Sequence, residues 1–89
     1  MKIPIENAKE VGRIIRASRK HQNLRQDVAA GSIGVSENFL VKVEKGSDTV
    51  QWGKLFQVMH GLGVRVILDI PDDAADLLKK LEVQSSGRR

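Results

Sequence analysis

Hydrophobic residues recur at helical spacing through the first two-thirds of the chain and at alternate positions after residue 63. The first helical pattern follows Asn7-Ala8-Lys9-Glu10, which has the N-x-x-E form of a capping box. It predicts a helix that starts at this box and ends at about His21. Its core-facing positions, which recur about every 3.6 residues, are Val11, Ile14, Ile15 and Ser18.

Between residues 26 and 46 the helical pattern is interrupted at Ser32-Ile33-Gly34-Val35. Before this break a helix is predicted to begin near Gln26, and it carries the apolar run Val28–Ala30. Gly34 can adopt the positive φ that a tight turn requires. The break therefore predicts a sharp turn between two short helices.

After the break a second short helix is predicted, with Ser36 as its N-cap and Gly46 as its stop. Leu40 and Val43 give this helix one apolar face. Two short helices joined by a tight turn are typical of a helix-turn-helix, in which the second helix is the recognition helix.

A further helix is predicted over about residues 50–62, behind the helix-turn-helix. It places four apolar residues on one face: Leu55, Val58, Met59 and Leu62. Trp52 and Phe56 are also four residues apart, and we expect them in the core or in a dimer interface rather than stacked on bases.

Residues 64–70 alternate in a way that predicts a β-strand. One side of this strand consists of Val64, Val66, Leu68 and Ile70. A lone strand leaves its backbone groups unpaired, so it needs a partner. The sequence offers two: the arm Met1–Ile5 of the same chain, or residues 64–70 of a second copy.

The remaining sequence predicts a short helix and a tail. Pro71 ends the strand, and Asp72–Leu81 has acidic residues in its first turn and lysines in its last, as the helix dipole favours. Residues 82–89 are polar and are expected to form a disordered tail.

Length and composition indicate one small domain without covalent cross-links. The chain has 89 residues and no cysteine, which excludes disulfides and thiolate metal sites. His21 and His60 have no acidic partner in register, and no nucleophile–base arrangement or phosphate-binding glycine loop is present. We therefore expect no enzyme activity, no catalytic residues, no metal and no cofactor. The apolar runs are too short to cross a membrane and no signal peptide is evident, so a cytoplasmic protein is expected.

The net charge of +4 is carried by the half of the chain that contains the helix-turn-helix. Residues 1–46 hold nine Lys and Arg against five Asp and Glu, whereas residues 47–89 hold six of each. This distribution suits a surface that faces phosphates, although a merely solvated basic face would have the same composition.

The helix-turn-helix residues resemble those of the Cro/C1-type (Xre-like) regulators over about residues 7–70. The matching positions are Arg19, Leu24-x-Gln26, Ala30, Ile33-Gly34-Val35-Ser36, Leu40, Val43-Glu44-x-Gly46, Leu55 and Leu62-Gly63-Val64. The ending over residues 63–70 looks most like that of the HipB-type antitoxins. The resemblance implies a mostly α, compact, lambda-repressor-like domain of four to five helices, with a C-terminal strand that pairs across a dimer.

The resemblance also implies an organisation and a function. Residues 1–6 would be an N-terminal arm or short strand, 7–63 the DNA-binding domain, 64–70 the dimerisation strand, and 71–89 the short helix and tail. The protein would be a homodimeric repressor of a near-palindromic double-stranded operator, and the antitoxin of a HipA-type kinase toxin. Two alternatives stay open: a protein-interaction module with secondary DNA binding, and a free-standing or phage-type regulator without a toxin.

The recognition helix is expected to read bases with residues near its N-terminus. Glu37 can accept from cytosine N4, and Asn38 can bond adenine N6 and N7. Lys42 can donate to guanine, and Phe39 can pack on a thymine methyl group. Alternatively, Phe39 packs in the core, and Glu37 is a solvated acid at the start of the helix.

The surroundings of the recognition helix are expected to hold phosphates. The residues are Arg25 and Gln26 at the start of the second helix, with Ser36 and Lys45 beside them. Arg25 stands where the resembled family commonly has a capping Ser or Thr, and losing that cap costs about 1 kcal/mol. The resemblance further implies an ion pair between Arg19 and Glu44, with a solvent-exposed arginine as the alternative.

Overall fold

The computed structural model describes residues 1–87, and in that part the chain is mostly α. Its five helices, in chain order, are α1 Ala8–His21, α2 Gln26–Ile33, α3 Glu37–Glu44, α4 Trp52–Gly61 and α5 Asp72–Gly87. The expectation of a mostly α domain of four to five helices is confirmed. None of the described helices is long and apolar enough to cross a membrane.

The start of α1 is stabilised by the predicted cap. The Asn7 side chain accepts a hydrogen bond from the Glu10 backbone N–H at 3.0 Å. The Glu10 carboxylate in turn accepts from the backbone N–H of Glu6 at 2.6 Å. The first bond satisfies an unpaired amide group of the first helical turn. The second ties Glu10 to the residue before the N-cap, whereas a full capping box would tie it to the N–H of Asn7.

The turn between α2 and α3 is built on Gly34, whose φ is +96°. Its N–H donates to the carbonyl of Ala30 at 2.9 Å, which closes α2. Ser36 then caps α3, because its hydroxyl accepts from the Phe39 N–H at 3.1 Å. Gln57 of α4 donates to the carbonyl of Ile33 at 2.8 Å and so satisfies the end of α2.

The core lies between α1, α2, α3 and α4. Its buried apolar residues are Ile15, Ala29, Ala30, Leu40, Val43, Val58, Met59 and Leu62. Helices α1 and α3 approach closely at Gly12, where a Cβ would lie 2.5 Å from the carbonyl oxygen of Val43. This core fixes α3 along one side and leaves the other side free.

The predicted strand is not formed in the single chain. Within residues 1–87, neither 1–5 nor 64–70 is a strand, and the two segments do not pair. The physical reason is that an isolated strand has no partner for its backbone groups. Val66 and Ile70 are exposed, and Leu68 is 80% exposed. Pairing with a second copy therefore stays a prediction.

Helix α5 differs from the expected short helix with a tail. It runs from Asp72 to Gly87, so residues 82–87 continue the helix beyond the predicted end at Leu81. No proline or turn signal interrupts residues 82–86, which accounts for the continuation. The last two residues of the predicted tail, 88 and 89, lie outside the described part.

Candidate nucleic-acid interface

The outer side of α3 carries three of the predicted base-contact residues. Glu37, Asn38 and Lys42 are all exposed, whereas Leu40 and Val43 on the other side are buried in the core. At about 100° per residue, the three positions span about 140° of the helix circumference, on the side away from Leu40 and Val43. The structure thus places a carboxylate, an amide and an ammonium together on a single open face.

Phe39, the fourth predicted base contact, is partly buried and packs against the core. Lys54 of α4 places its Nζ 5.9 Å from the centre of the Phe39 ring, within cation–π range. No local sequence pattern predicts this contact, because it depends on how α4 is placed relative to α3. The ring therefore lies between the core and the open face, and only its outer part is available to a ligand.

Arg25 precedes α2 in an extended conformation and makes no capping hydrogen bond. Its Nε and Nη2 donate to the two carboxylate oxygens of Asp27 at 3.1 and 2.6 Å. The hydrogen bond from Arg25 lowers the pKa of Asp27 below its ordinary value, and the same bond raises the pKa of Arg25. Sequence reasoning missed this exposed pair, although opposite charges two residues apart at a helix start were the available signal.

Gln26, the second predicted phosphate contact, is also engaged within the protein. Its Nε2 donates to Glu44 Oε1 at 3.1 Å. Glu44 accepts two further bonds, from Arg19 Nε at 2.6 Å and Arg19 Nη2 at 2.9 Å. A third guanidinium nitrogen, Nη1, donates to the carbonyl of Leu24 at 2.6 Å.

This network is buried, with the Arg19 and Glu44 side chains only 8% and 3% exposed. The hydrogen bond to Glu44 raises the pKa of Arg19 above its ordinary value. The ion pair implied by the resemblance is therefore present, and it excludes the alternative of a solvent-exposed Arg19. The ion pair joins α1 to the end of α3, and the hydrogen bond from Gln26 connects the start of α2 to the same carboxylate.

The remaining two predicted phosphate contacts lie at opposite ends of α3. Ser36 is the exposed N-cap, and Lys45 is the exposed C-cap residue. The Ser36 hydroxyl uses an oxygen lone pair to cap the helix, which leaves its O–H able to donate. The structure thus brings Ser36 close to the Glu37–Asn38 end and leaves Lys45 one helix length away.

Most of the predicted dimerisation residues are open to solvent. Val64 packs partly against the core, whereas Val66, Leu68 and Ile70 are exposed. Trp52 and Phe56 form a tilted ring pair with centroids 5.6 Å apart, and Trp52 is 74% exposed. The expectation of a core position is therefore wrong for Trp52, because α4 fills its core side with Val58 and Met59. The dimer-interface alternative stays a prediction.

No group of three or more His, Cys, Asp or Glu side chains in residues 1–87 is placed to hold a metal ion. No protein-family model matches the chain. Relatives in Sinorhizobium fredii are more informative. The uncharacterized HTH-type transcriptional regulator y4mF is 41% identical over 69 residues, which cover 78% of this chain and 91% of the relative.

This chain belongs to the helix-turn-helix-type transcriptional regulators. A second relative, the uncharacterized HTH-type transcriptional regulator y4aM of the same organism, is 39% identical over 70 residues. The match covers 75% of this regulator but only 49% of y4aM, so the regulator spans about half of that relative.

Solved structures with the same fold include HipB complexes. This regulator superposes with a TM-score of 0.71 on a chain of the HipA-HipB-O2-O3 complex, at 15% identity, covering 80% of this regulator and 100% of that chain. A HipB-O1-O2 complex gives 0.71 at 16% identity, covering 78% and 100%. At such identities the likeness concerns the fold. The relatives confirm the resemblance to helix-turn-helix regulators, and the solved structures confirm that the fold is like that of HipB.

Proposed function

We propose that this regulator is a dimeric, sequence-specific DNA-binding repressor that reads base edges with α3. One observation carries the proposal: α3 is buried and tied down along one side, while Glu37, Asn38 and Lys42 are exposed on the other. The major groove of B-DNA is wide enough to admit an α-helix held in this way. Membership of a family of transcriptional regulators favours DNA as the ligand of that surface.

Each exposed side chain of α3 has a chemical role in this proposal. Asn38 offers an acceptor and a donor that match adenine N7 and N6, and Lys42 donates to guanine. Glu37 accepts from cytosine N4 and disfavours other bases at that position. The outer part of Phe39 contacts a thymine methyl group while the rest of its ring stays against the core.

Phosphates would be held by the residues around α3: Arg25, Gln26, Ser36 and Lys45. Gln26 has a second N–H on Nε2 beyond the one that it gives to Glu44. Arg25 must share its guanidinium between Asp27 and a phosphate. Such contacts set register and orientation without reading sequence.

The dimer would form through residues 64–70, paired antiparallel with the same residues of a second copy. This pairing would give the exposed backbone a partner and place Val64, Val66, Leu68 and Ile70 on one face. Two copies would then reach half-sites about 34 Å apart on a near-palindrome. Trp52 and Phe56 are exposed and offer apolar surface to the same interface.

Val66→Pro tests the dimer contact, because proline removes a ladder N–H. Sedimentation should find the wild type dimeric and this variant monomeric, with circular dichroism unchanged for α1 to α4. A variant that remains dimeric would contradict pairing through residues 64–70.

The proposal extends to an antitoxin of a HipA-type kinase toxin that represses its own operon. Its support is the shared fold with a chain of the HipA-HipB-O2-O3 complex. Co-expression with the product of the adjacent reading frame tests this part. A kinase-like product that co-purifies would support it, and a neighbourhood without one would leave a free-standing regulator.

DNA binding itself is tested by selection from a random duplex pool, followed by fluorescence anisotropy at several salt concentrations. We expect one near-palindromic site to be enriched and the logarithm of the affinity to fall linearly with the logarithm of salt. A protein-interaction module with no DNA function would enrich no site and show no salt-dependent binding.

A further inference from the structure

Helix α5 carries an apolar stripe that nothing in the described chain covers. Ala74, Leu77, Leu78 and Leu81 fall within about 100° of the helix circumference. Leu77, Leu78 and Leu81 are 57%, 50% and 52% exposed. The substantial helix–helix contacts in residues 1–87 join α1 to α3 and α2 to α3 and α4, and α5 takes part in none of them.

A helix of this length needs a packing partner. In water, isolated helices shorter than about 12–15 residues are marginal even when rich in alanine, and helices in proteins are stabilised mostly by burying an apolar face. Helix α5 has 16 residues and two adjacent aspartates, Asp72 and Asp73, at its start. A surface that buries the leucine stripe would therefore stabilise α5.

The charges beside the leucine stripe indicate which partner would cover it. Asp73 and Lys80 are seven residues apart, so they lie on the same edge of the leucine stripe. When two copies of α5 pack antiparallel, Asp73 of each lies beside Lys80 of the other. A parallel pair would not bring Asp73 and Lys80 together, because each edge of one helix then faces the opposite edge of the other, and it would also align the two helix dipoles side by side.

We propose that α5 packs antiparallel against α5 of a second copy of this chain, burying the leucine stripe across the two-fold axis. This inference rests on the dimer of the proposed function and adds a second contact to it. The pair of helices alone is small beside the about 1,200–2,000 Å² that stable interfaces bury. It therefore strengthens the contact through residues 64–70 rather than replacing it.

The chain connection suits this arrangement. Pro71 joins residues 64–70 directly to α5. Seven extended residues span about 23 Å and a 16-residue helix about 24 Å. In an antiparallel ribbon the two copies of α5 would begin at opposite ends and run towards each other along its length.

Sedimentation equilibrium of the full chain tests the contact with Leu77→Asp. The matched control is Val83→Asp, because Val83 is 71% exposed on the side of α5 opposite the stripe. We expect Leu77→Asp to raise the dimer dissociation constant by roughly tenfold or more. The control should change it by less than about twofold, because nothing contacts Val83 in the proposed pair.

Charge exchange tests the antiparallel direction. Asp73→Lys and Lys80→Asp should each weaken the dimer, because each places like charges together twice across the axis. The double variant should recover most of the wild-type affinity. Recovery would not follow from effects within one helix, since the two residues are two turns apart.

Equal effects of Leu77→Asp and Val83→Asp would overturn the inference, as would a double variant weaker than both single ones. Two further outcomes separate this failure from that of the proposed function. A dimeric wild type that becomes monomeric with Val66→Pro but is unaffected by Leu77→Asp would refute the α5 contact alone. A monomeric wild type would refute the dimer and the α5 contact together.

Discussion

Arg19 of α1 holds Glu44 of α3 through two hydrogen bonds, although the two residues are 25 positions apart. Glu44 stands at the C-terminal end of α3, and Gln26 donates to the same carboxylate from the start of α2. The buried pair therefore fixes both helices of the helix-turn-helix to α1. A rigid α3 is what allows the side chains on its outer face to meet bases in one register.

The Arg19→Met variant should be less stable than the wild type, because the substitution leaves the Glu44 carboxylate buried without its main partner. We expect a loss of about 3–5 kcal/mol in the free energy of unfolding, measured by urea denaturation. The double variant Arg19→Met, Glu44→Leu should recover much of that loss, since it removes the stranded charge as well. A single variant as stable as the wild type would contradict this role.

Gly12→Ala should also destabilise the fold, through backbone contact between α1 and α3. Its methyl group would lie 2.5 Å from the Val43 carbonyl oxygen and 2.8 Å from that of Glu44, and neither can move alone. Overpacking of this kind costs about 1–3 kcal/mol. Gly31→Ala is the control: nothing lies within 4 Å of its Cβ, and alanine in a helix should stabilise by about 0.5–1 kcal/mol. We expect the midpoint of thermal unfolding to fall in Gly12→Ala and to rise in Gly31→Ala.

Arg25→Ala should weaken binding to all DNA sequences alike and reduce the salt slope by about 1. Asp27→Asn should have the opposite effect on affinity, because it releases the Arg25 guanidinium from its two hydrogen bonds. Anisotropy titrations over a salt series measure both. A salt slope that is unchanged in Arg25→Ala would remove this residue from the interface.

The Arg25–Asp27 pair also predicts how stability depends on pH. Because Arg25 lowers the pKa of Asp27 from 3.8, any stability from the pair is present above that value and is lost as the carboxylate protonates at lower pH. In Arg25→Ala the pKa of Asp27, followed by NMR, should rise towards 3.8.

Local signals in the sequence predict the helix starts and the turn. Asn7 and Ser36 each accept the hydrogen bond that their positions suggest, and Gly34 has the positive φ that its turn requires. These features depend on a few neighbouring residues, so one sequence suffices to find them. The ion pair of Arg19 with Glu44 was available only from the family resemblance.

Contacts between distant segments could not be predicted in this way. Gln57 donates to the Ile33 carbonyl and Gln22 to the Leu62 carbonyl, and both bonds depend on how helices cross. The exposure of Trp52 also depends on which side of α4 the core occupies. The pairing of residues 64–70 depends on a second chain, so neither the sequence nor a single folded copy decides it.

The most direct test of the central claim, that α3 reads bases, compares Asn38→Ala with the wild type on two DNA duplexes. One is the site enriched by selection, and the other has the same composition in scrambled order. We predict a loss of about 1–3 kcal/mol in binding free energy on the selected site and little change on the scrambled one. An equal loss on both duplexes, or none on either, would contradict base reading by α3.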